Sequence, residues 1–407
     1  MRSPRSLVPF LALLLAVATG CSPAAPASPS PAGMTDEPPA SAPGPTATPP
    51  VPGHELYGYL PYWEARDGIL EHLRETPLST LALFSVTHTS KGALNTRQQG
   101  YRMITGATGR RIIREAQARG TRVEIVYTSF GAKRNQGLFT DAARQDGVIA
   151  ALVELVTETG ADGVNVDVEV LDPVLVPAFA GFVGRLREAV RDADPADQVS
   201  AATGAGPLGA AMAAAASGAG ADRIFLMGYD YRVAASSPGA SAPLDRSDGG
   251  EKSLRWSLDL YASLGVPPER LLLGLPLYGM TWPVAGPVIG APETGRGDAW
   301  IPRKHTALLT DGSITPQRDE IEQVDVYFGA SDGSWGAPSP GASLVPSAMD
   351  RTWTAVYVDS PGTLAPKMTL ANERGLAGSG FWAIGYERGL PGYRGLMEAF
   401  VKGEPLP

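Results

Sequence analysis

Cysteine and clustered basic residues are scarce in this 407-residue chain, and each scarcity excludes a class of protein. The only cysteine, Cys21, has no partner for a disulfide within the chain. The 34 Lys and Arg residues are outnumbered by 42 Asp and Glu residues, and the formal net charge is −8. Binding to a phosphate backbone depends on clustered Lys and Arg, so nucleic acid is not an expected partner.

Histidine is also rare, and its placement argues against a metal site. His54, His72, His88 and His305 are scattered along the chain, and no EF-hand order of acidic ligands occurs. The sequence also has no glycine-rich phosphate loop. We therefore expect no cofactor and no metal, and we expect a monomer.

No apolar run is long enough for a membrane span of about 20 residues. The run at residues 7–17 follows Arg2 and Arg5 and precedes small residues and Cys21, which predicts a signal peptide over residues 1–20. The ATGC ending resembles the lipobox of bacterial lipoproteins, which implies lipidation at Cys21 and an exported protein tethered outside the cell membrane. The alternative is an ordinary secretory signal that happens to end in cysteine.

Residues 21–53 are rich in Pro, Ala and Ser and contain almost no large apolar side chain. Such a segment buries too little surface to offset its ordering entropy, so we predict a disordered tether. The folded catalytic domain is then predicted over residues 54–407.

Eight short apolar runs alternate with helical patterns in this domain, which predicts βαβ units and a parallel sheet. Eight strands suffice to close a (β/α)₈ barrel, and an open doubly wound sheet is the alternative. The runs are residues 56–60, 80–86, 122–127, 163–170, 198–203, 223–229, 271–278 and 378–384. Between the last two, residues 283–351 are too long for a plain loop. They predict an α+β insertion, with strands at 324–329 and 352–358.

The run at residues 163–170 alternates valines with Asn165, Asp167 and Glu169. Because side chains alternate along a strand, the three polar groups share one face. On an ordinary surface strand this face would be solvated. A strand central in a parallel series is instead buried on both faces, and barrel active sites lie at the C-terminal strand ends. We therefore expect a catalytic acid pair, in which Glu169 has a raised pKa and acts as general acid.

Five motifs together resemble the signatures of family 18 glycoside hydrolases, the chitinase-like barrels. They are DGVNVDVE at 162–169, LMGYDYR at 226–232, LLLGLPLYGMTW at 271–282, GSGFWAIGYE at 378–387 and GYLPYW at 58–63. The resemblance implies that Glu169 protonates the glycosidic oxygen while the substrate's own N-acetyl carbonyl attacks the anomeric carbon. It further implies that Asp167 orients that amide and that Tyr229 hydrogen-bonds its carbonyl oxygen.

The same resemblance implies a sugar-binding set around the cleaved bond. Asp230 is expected to bind the sugar, and Trp382 to lie beneath it as an apolar platform. The remaining members taken from the matching motifs are Tyr59, Met227 and Tyr278. Trp63 and Trp282 are candidates either for stacking on sugars or for the core.

Asn165 departs from the DGxDxDxE signature, which has Asp at this position. Members that resemble spore-germination and peptidoglycan-processing enzymes carry the same DGVN pattern, so we keep Asn165 in the predicted catalytic set. We expect its amide to donate a hydrogen bond to Asp167 and keep that group ionised. Replacing it by Asp is then expected to shift the acidic limb of the pH–activity profile with activity retained.

Three functions fit the sequence to different degrees. The first is a glycosidase that cleaves β-1,4 bonds in N-acetylglucosamine-containing glycans, either chitin-like chains or peptidoglycan, with endo or exo action left open. The second is a carbohydrate-binding lectin on an inactive barrel, and the third is a purely structural lipoprotein. The presence of Glu169, Asp167 and Tyr229 together favours the glycosidase.

Overall fold

The computed structural model describes residues 54–331, 333–336 and 352–407. The predicted signal peptide, Cys21 and the predicted tether lie outside the described residues. Within the described part of the chain, no helix is both long and apolar enough to cross a membrane.

Eight parallel strands close into a barrel, and each corresponds to one of the eight predicted apolar runs. They are β1 (Glu55–Pro61), β2 (Thr80–Thr87), β3 (Arg122–Phe130), β4 (Gly163–Glu169), β5 (Gln198–Gly204), β6 (Arg223–Met227), β7 (Leu271–Pro276) and β13 (Gly378–Trp382). Around the barrel their order is β1-β13-β7-β6-β5-β4-β3-β2. The predicted (β/α)₈ barrel is confirmed, and the open doubly wound sheet is excluded because β1 pairs with both β2 and β13.

Helices surround the barrel because their apolar faces cover the outward side chains of the strands. They are α1 (Ile69–Glu75), α2 (Gln99–Thr105), α3 (Ala107–Gln117), α4 (Ala132–Phe139), α5 (Ala142–Thr159), α6 (Val176–Ala193), α7 (Pro207–Gly218), α8 (Leu254–Ser263), α10 (Pro361–Glu373) and α11 (Pro391–Lys402). Short 3₁₀ turns occupy Pro173–Leu175, Pro268–Arg270 and Pro302–Lys304. The short helix α9 (Thr306–Thr310) belongs to the insertion.

The predicted insertion subdomain contains an antiparallel five-stranded sheet. Its strands are β8 (Gly279–Val284), β9 (Asp298–Trp300), β10 (Gln317–Asp319), β11 (Val324–Ala330) and β12 (Trp353–Val358), in the order β10-β11-β12-β8-β9. The sheet extends from Gly279 to Val358, which lies beyond the predicted bounds of about 283 and 351, and its strands β11 and β12 match the predicted strands at 324–329 and 352–358. The reason is that β8 pairs with β12 from Met280↔Tyr357 to Val284↔Trp353, where the chain leaves and re-enters the barrel.

Strand β4 carries opposite chemistry on its two faces. Val164, Val166 and Val168 are buried in the large apolar cluster that also contains residues of the surrounding helices. Asn165 and Asp167 are buried on the other face, inside the barrel. Alternation along the strand therefore places polar groups in an interior that most parallel barrels fill with apolar side chains.

Candidate active site

Asp167 lies inside the barrel near the C-terminal end of β4 and is 4% exposed. Its Oδ1 atom is buried and has no hydrogen-bond partner among the described residues. Burial raises the pKa of Asp167 well above its ordinary value, and the nearby charge of Glu169 raises it further. A buried oxygen without a partner is costly in free energy, so Asp167 is suited to receive a donor from a bound molecule.

Glu169 is the last residue of β4 and is half-buried at the barrel mouth. Burial and, after it, the negative charge of Asp230 raise the pKa of the Glu169 carboxyl group to about 7. A carboxyl group with this pKa is present in both protonation states near neutral pH. Glu169 can therefore donate a proton in one step and accept one in the next.

The backbone at Glu169 is held by a side chain that sequence reasoning missed. The Nδ2 atom of Asn135, on α4, donates to the carbonyl oxygens of Glu169 at 2.6 Å and Val170 at 3.2 Å. The other end of this amide accepts a hydrogen bond from Ser129 Oγ at 2.7 Å. Val170 has a φ of +61°, which is strained for a β-branched residue and persists only where neighbours enforce it. The contacts of Asn135 thus fix the turn that aims the Glu169 side chain.

Tyr229, Asp230 and Tyr278 lie together beyond the ends of β6 and β7. The Tyr278 hydroxyl donates to Asp230 Oδ1, and Ser241 Oγ donates to the Tyr278 hydroxyl at 3.2 Å. The ring centroids of Tyr229 and Tyr278 are 6.2 Å apart. Burial raises the pKa of Tyr229 well above its ordinary value, and Asp167 and Asp230 add to the effect. Its hydroxyl therefore keeps its proton and can act as a donor to a ligand.

Three half-buried aromatic side chains and the buried Tyr59 form one wall of the barrel mouth. The Trp382 ring centroid lies 4.8 Å from that of Phe84, 5.7 Å from Tyr59 and 6.3 Å from Trp63. Met227 packs on the same interior cluster. This wall offers the kind of apolar surface on which a sugar ring stacks.

The two additional tryptophan candidates have different environments. Trp63 is half-buried and donates from Nε1 to the Tyr386 hydroxyl at 3.1 Å. Trp282 is fully buried in β8 and packs edge-to-face on Tyr357 at 5.7 Å. Trp282 is thus a core residue, and only Trp63 reaches the aromatic wall.

The predicted hydrogen bond from Asn165 to Asp167 is wrong. The Asn165 Nδ2 atom donates to Ser200 Oγ at 2.7 Å, and its Oδ1 atom accepts from the Tyr59 hydroxyl at 3.0 Å. Ser200 is the register partner of Asn165 on the neighbouring strand β5, so the two side chains lie beside each other across the strand pair. Asp167 projects about 6.6 Å farther along β4, which exceeds the reach of a hydrogen bond.

The predicted catalytic and sugar-binding residues lie around the interior and mouth of one barrel. Sequence reasoning missed Asn135 and Ser200, which hydrogen-bond Glu169 and Asn165, and Glu124, which accepts a hydrogen bond from Ser200. The sequence does single out Glu124, because it is an acid within the mostly apolar run RVEIVY of a central strand. Among the described residues, no three His, Cys, Asp or Glu side chains are grouped so as to hold a metal ion.

Comparison with known proteins identifies the family to which these motifs belong. The sequence profile of "Glycosyl hydrolases family 18" matches residues 56–387. "Class V chitinase CHIT5" of Lotus japonicus is 31% identical over 166 residues, which are 40% of this chain and 37% of that protein. The chain thus spans well under half the length of this curated relative.

Solved structures share the fold across most of the chain. The spore cortex-lytic enzyme SleL of Bacillus cereus has a TM-score of 0.63 at 18% identity, covering 86% of this chain and 74% of that one. A family 18 N-acetylglucosaminidase of Paenibacillus barengoltzii has a TM-score of 0.66 at 18% identity, covering 86% and 99%. The chitinase-like agglutinin of Robinia pseudoacacia has a TM-score of 0.66 at 18% identity, covering 85% and 98%. At these identities the likeness concerns the fold alone.

Proposed function

Because the chain belongs to glycosyl hydrolase family 18, we propose that it hydrolyses β-1,4 bonds in glycans that contain N-acetylglucosamine. One observation carries this proposal most strongly. A buried carboxylate oxygen without a partner, Asp167 Oδ1, lies two residues below Glu169, whose pKa is about 7. The first group is an acceptor for an amide N–H, and the second is a general acid.

The proposed mechanism uses the substrate's own N-acetyl group as nucleophile. Glu169 gives its proton to the glycosidic oxygen as the acetyl carbonyl oxygen bonds to the anomeric carbon and the leaving sugar departs. Asp167 accepts the amide N–H and stabilises the positive charge that develops on the oxazolinium ion. Tyr229 donates to the acetyl oxygen. Glu169 then takes a proton from water as the water attacks the anomeric carbon and the bond between this carbon and the acetyl oxygen breaks. This step restores the acid and the N-acetyl group and retains the configuration.

The remaining predicted residues serve to bind and orient the sugar. Trp382 supplies an apolar surface beneath the ring, with Tyr59 and Met227 packed beside it. Asp230, oriented by Tyr278, accepts hydrogen bonds from sugar hydroxyls. Holding the acetyl group against the anomeric carbon in this way turns the attack into an intramolecular step with a high effective molarity.

Chitin-like chains and the glycan strands of peptidoglycan both contain the N-acetylglucosamine unit that this mechanism requires. The proposed location favours a substrate outside the cytoplasm. We expect residues 1–20 to direct export and a lipid on Cys21 to hold the catalytic domain at the membrane through residues 21–53. Replacing Cys21 by Ser should move the protein from the membrane fraction to a soluble fraction without loss of activity. A wild-type protein that is already soluble would contradict the anchor.

The catalytic proposal is tested by comparing wild type with Glu169→Gln on N-acetylglucosamine oligomers and on purified peptidoglycan. Wild type should release shorter products that mass spectrometry identifies, and the variant should bind the same glycans without cleaving them. A lectin is the alternative function. It would show itself as intact binding with equal, near-zero turnover by both proteins.

A further inference from the structure

Glu124 is a buried acid inside the barrel that the proposed mechanism does not use. It lies on β3 and is 1% exposed. Its Oε2 atom accepts hydrogen bonds from the Tyr57 hydroxyl at 2.6 Å and from Ser200 Oγ at 2.5 Å. Burial raises the pKa of Glu124, and these two donors and Arg122 oppose the rise. An acid in such a place is tolerated only with hydrogen-bond donors around it, and it has two.

A chain of hydrogen bonds ends at Glu124, and each donor in it points towards this residue. Tyr59 donates to Asn165, Asn165 to Ser200, and Ser200 to Glu124. Ser200 has a single hydroxyl proton, which it donates to Glu124, so its oxygen is left to accept from Asn165 Nδ2. The other end of the Asn165 amide accepts from Tyr59. Each group therefore has a partner of the right kind, with Glu124 as the final acceptor.

An acid in place of Asn165 would not fit this arrangement. Aspartate has no amide proton to give to Ser200, and the single Ser200 proton cannot serve two carboxylates. The new carboxyl group would have to keep a proton of its own and donate it to Ser200, which neutral pH disfavours. The alternative is two ionised acids that face each other across one hydroxyl in a buried site.

We infer that Glu124 and Asn165 are a matched pair, in which Glu124 carries the interior carboxyl group that the family signature places at position 165. Glu124 is a positioning residue that acts through Ser200 to fix the Asn165 amide beneath Asp167. Val126 pairs with Asn165, and Glu124 precedes Val126 by two residues on β3. The buried carboxyl group thus lies one step nearer the N-terminal end of the barrel, farther from Asp167 and Glu169.

This inference rests on the proposed function only for its effect on catalysis, since the pairing itself is measurable through stability. The test uses wild type, Asn165→Asp, Glu124→Gln and the double variant. In the double variant the hydrogen bonds can reverse, because the glutamine amide at position 124 can donate to Ser200 while Ser200 donates to the carboxylate at position 165. The control combines Asn165→Asp with Glu188→Gln, which removes an acid from the exposed face of α6.

The stability difference should depend on pH with a definite sign. The titratable and charged groups around the pair are Tyr57, Tyr59, Arg122, Asp167, Asp222 and Arg223. In Asn165→Asp the new acid keeps its proton in the folded protein but loses it in the unfolded chain above about pH 4. Stability of this variant relative to wild type therefore falls as the pH rises.

We expect the Tm of Asn165→Asp to be close to wild type at pH 4 and about 5 °C lower at pH 7. Adding Glu124→Gln should restore most of this loss, and adding Glu188→Gln should restore none. If Asn165→Asp does not fold at all, recovery of folded protein in the double variant supports the pairing. A single variant as stable as wild type at every pH, or equal rescue by the control, overturns it.

A second measurement connects the pair to catalysis. The acidic limb of the pH–activity profile should shift in Asn165→Asp, because the extra proton that the new acid holds changes the coupled titration of Asp167 and Glu169. It should return towards wild type in the double variant. If wild type cleaves no glycan, the proposed function fails while the stability measurement still decides the pairing. If wild type cleaves and the stability coupling is absent, only the pairing fails.

Discussion

The side-chain amide of Asn135 donates a 2.6 Å hydrogen bond to the backbone carbonyl of Glu169, the proposed catalytic acid. The same nitrogen reaches the carbonyl of Val170, whose φ of +61° is strained. A side chain outside the predicted catalytic set therefore holds the backbone from which the proposed general acid projects.

Replacing Asn135 by Ala should lower kcat by about 10²-fold and leave KM nearly unchanged, because an acid displaced by about 1 Å protonates the glycosidic oxygen poorly. Asn135→Asp should have a similar effect, since its carboxylate cannot donate to the two carbonyls. Steady-state rates on N-acetylglucosamine oligomers measure both. Gln136→Ala, an exposed neighbour on α4, is the control and should match wild type. A normal kcat in Asn135→Ala would show that the backbone turn at Val170 keeps its conformation without the hydrogen bonds from Asn135.

The basic limb of the pH–activity profile should report the ionisation of Glu169, with an apparent pKa near 7. Activity should fall above this pH because the proposed general acid loses its proton. Since the charge of Asp230 raises the pKa of Glu169, Asp230→Asn should move this limb to lower pH as well as raise KM. Profiles of kcat/KM between about pH 4 and pH 9 measure the shift. Asp245→Asn, an exposed acid in the same segment, should leave the limb in place. An unmoved limb in Asp230→Asn would remove Asp230 from the electrostatics of Glu169.

Asp167→Asn should abolish most turnover yet increase stability at neutral pH. The folded protein raises the pKa of Asp167, so above about pH 4 the unfolded chain releases this proton more readily than the folded protein does. The free energy of unfolding of wild type therefore falls as the pH rises. The variant has no such loss, and its Tm should exceed that of wild type by about 2–5 °C at pH 7 and by little at pH 4. Asp192→Asn, exposed on α6, serves as the control. A variant that is less stable than wild type at pH 7 would mean that Asp167 has a structural role.

The barrel could be predicted from sequence because each strand is an apolar run with its own local pattern. The alternation along β4 also placed Asn165 and Asp167 on one face before any contact was known. The contacts of that face could not be predicted in this way. The Asn165–Ser200 hydrogen bond depends on the register between β4 and β5, and the Asn135–Glu169 hydrogen bond depends on where α4 packs. Both are set by tertiary packing, which no local pattern records.

The limits of the insertion were missed for a related reason. Strand β8 begins only three residues after β7 ends, and its partner β12 lies some 70 residues later in the chain. The apolar residues at the start of β8 resemble, in the sequence, a continuation of barrel strand β7. Only the long-range pairing of Met280 with Tyr357 separates the two elements.

The central claim is that the substrate's N-acetyl group is the nucleophile, assisted by Asp167 and Glu169. The most direct test is the cleavage rate of a β-1,4-linked N-acetylglucosamine pentamer beside that of the same pentamer without acetyl groups. We predict cleavage of the acetylated chain at least about 10²-fold faster, because only this chain carries the intramolecular nucleophile. Equal rates on the two pentamers, or no cleavage of either, would contradict the mechanism.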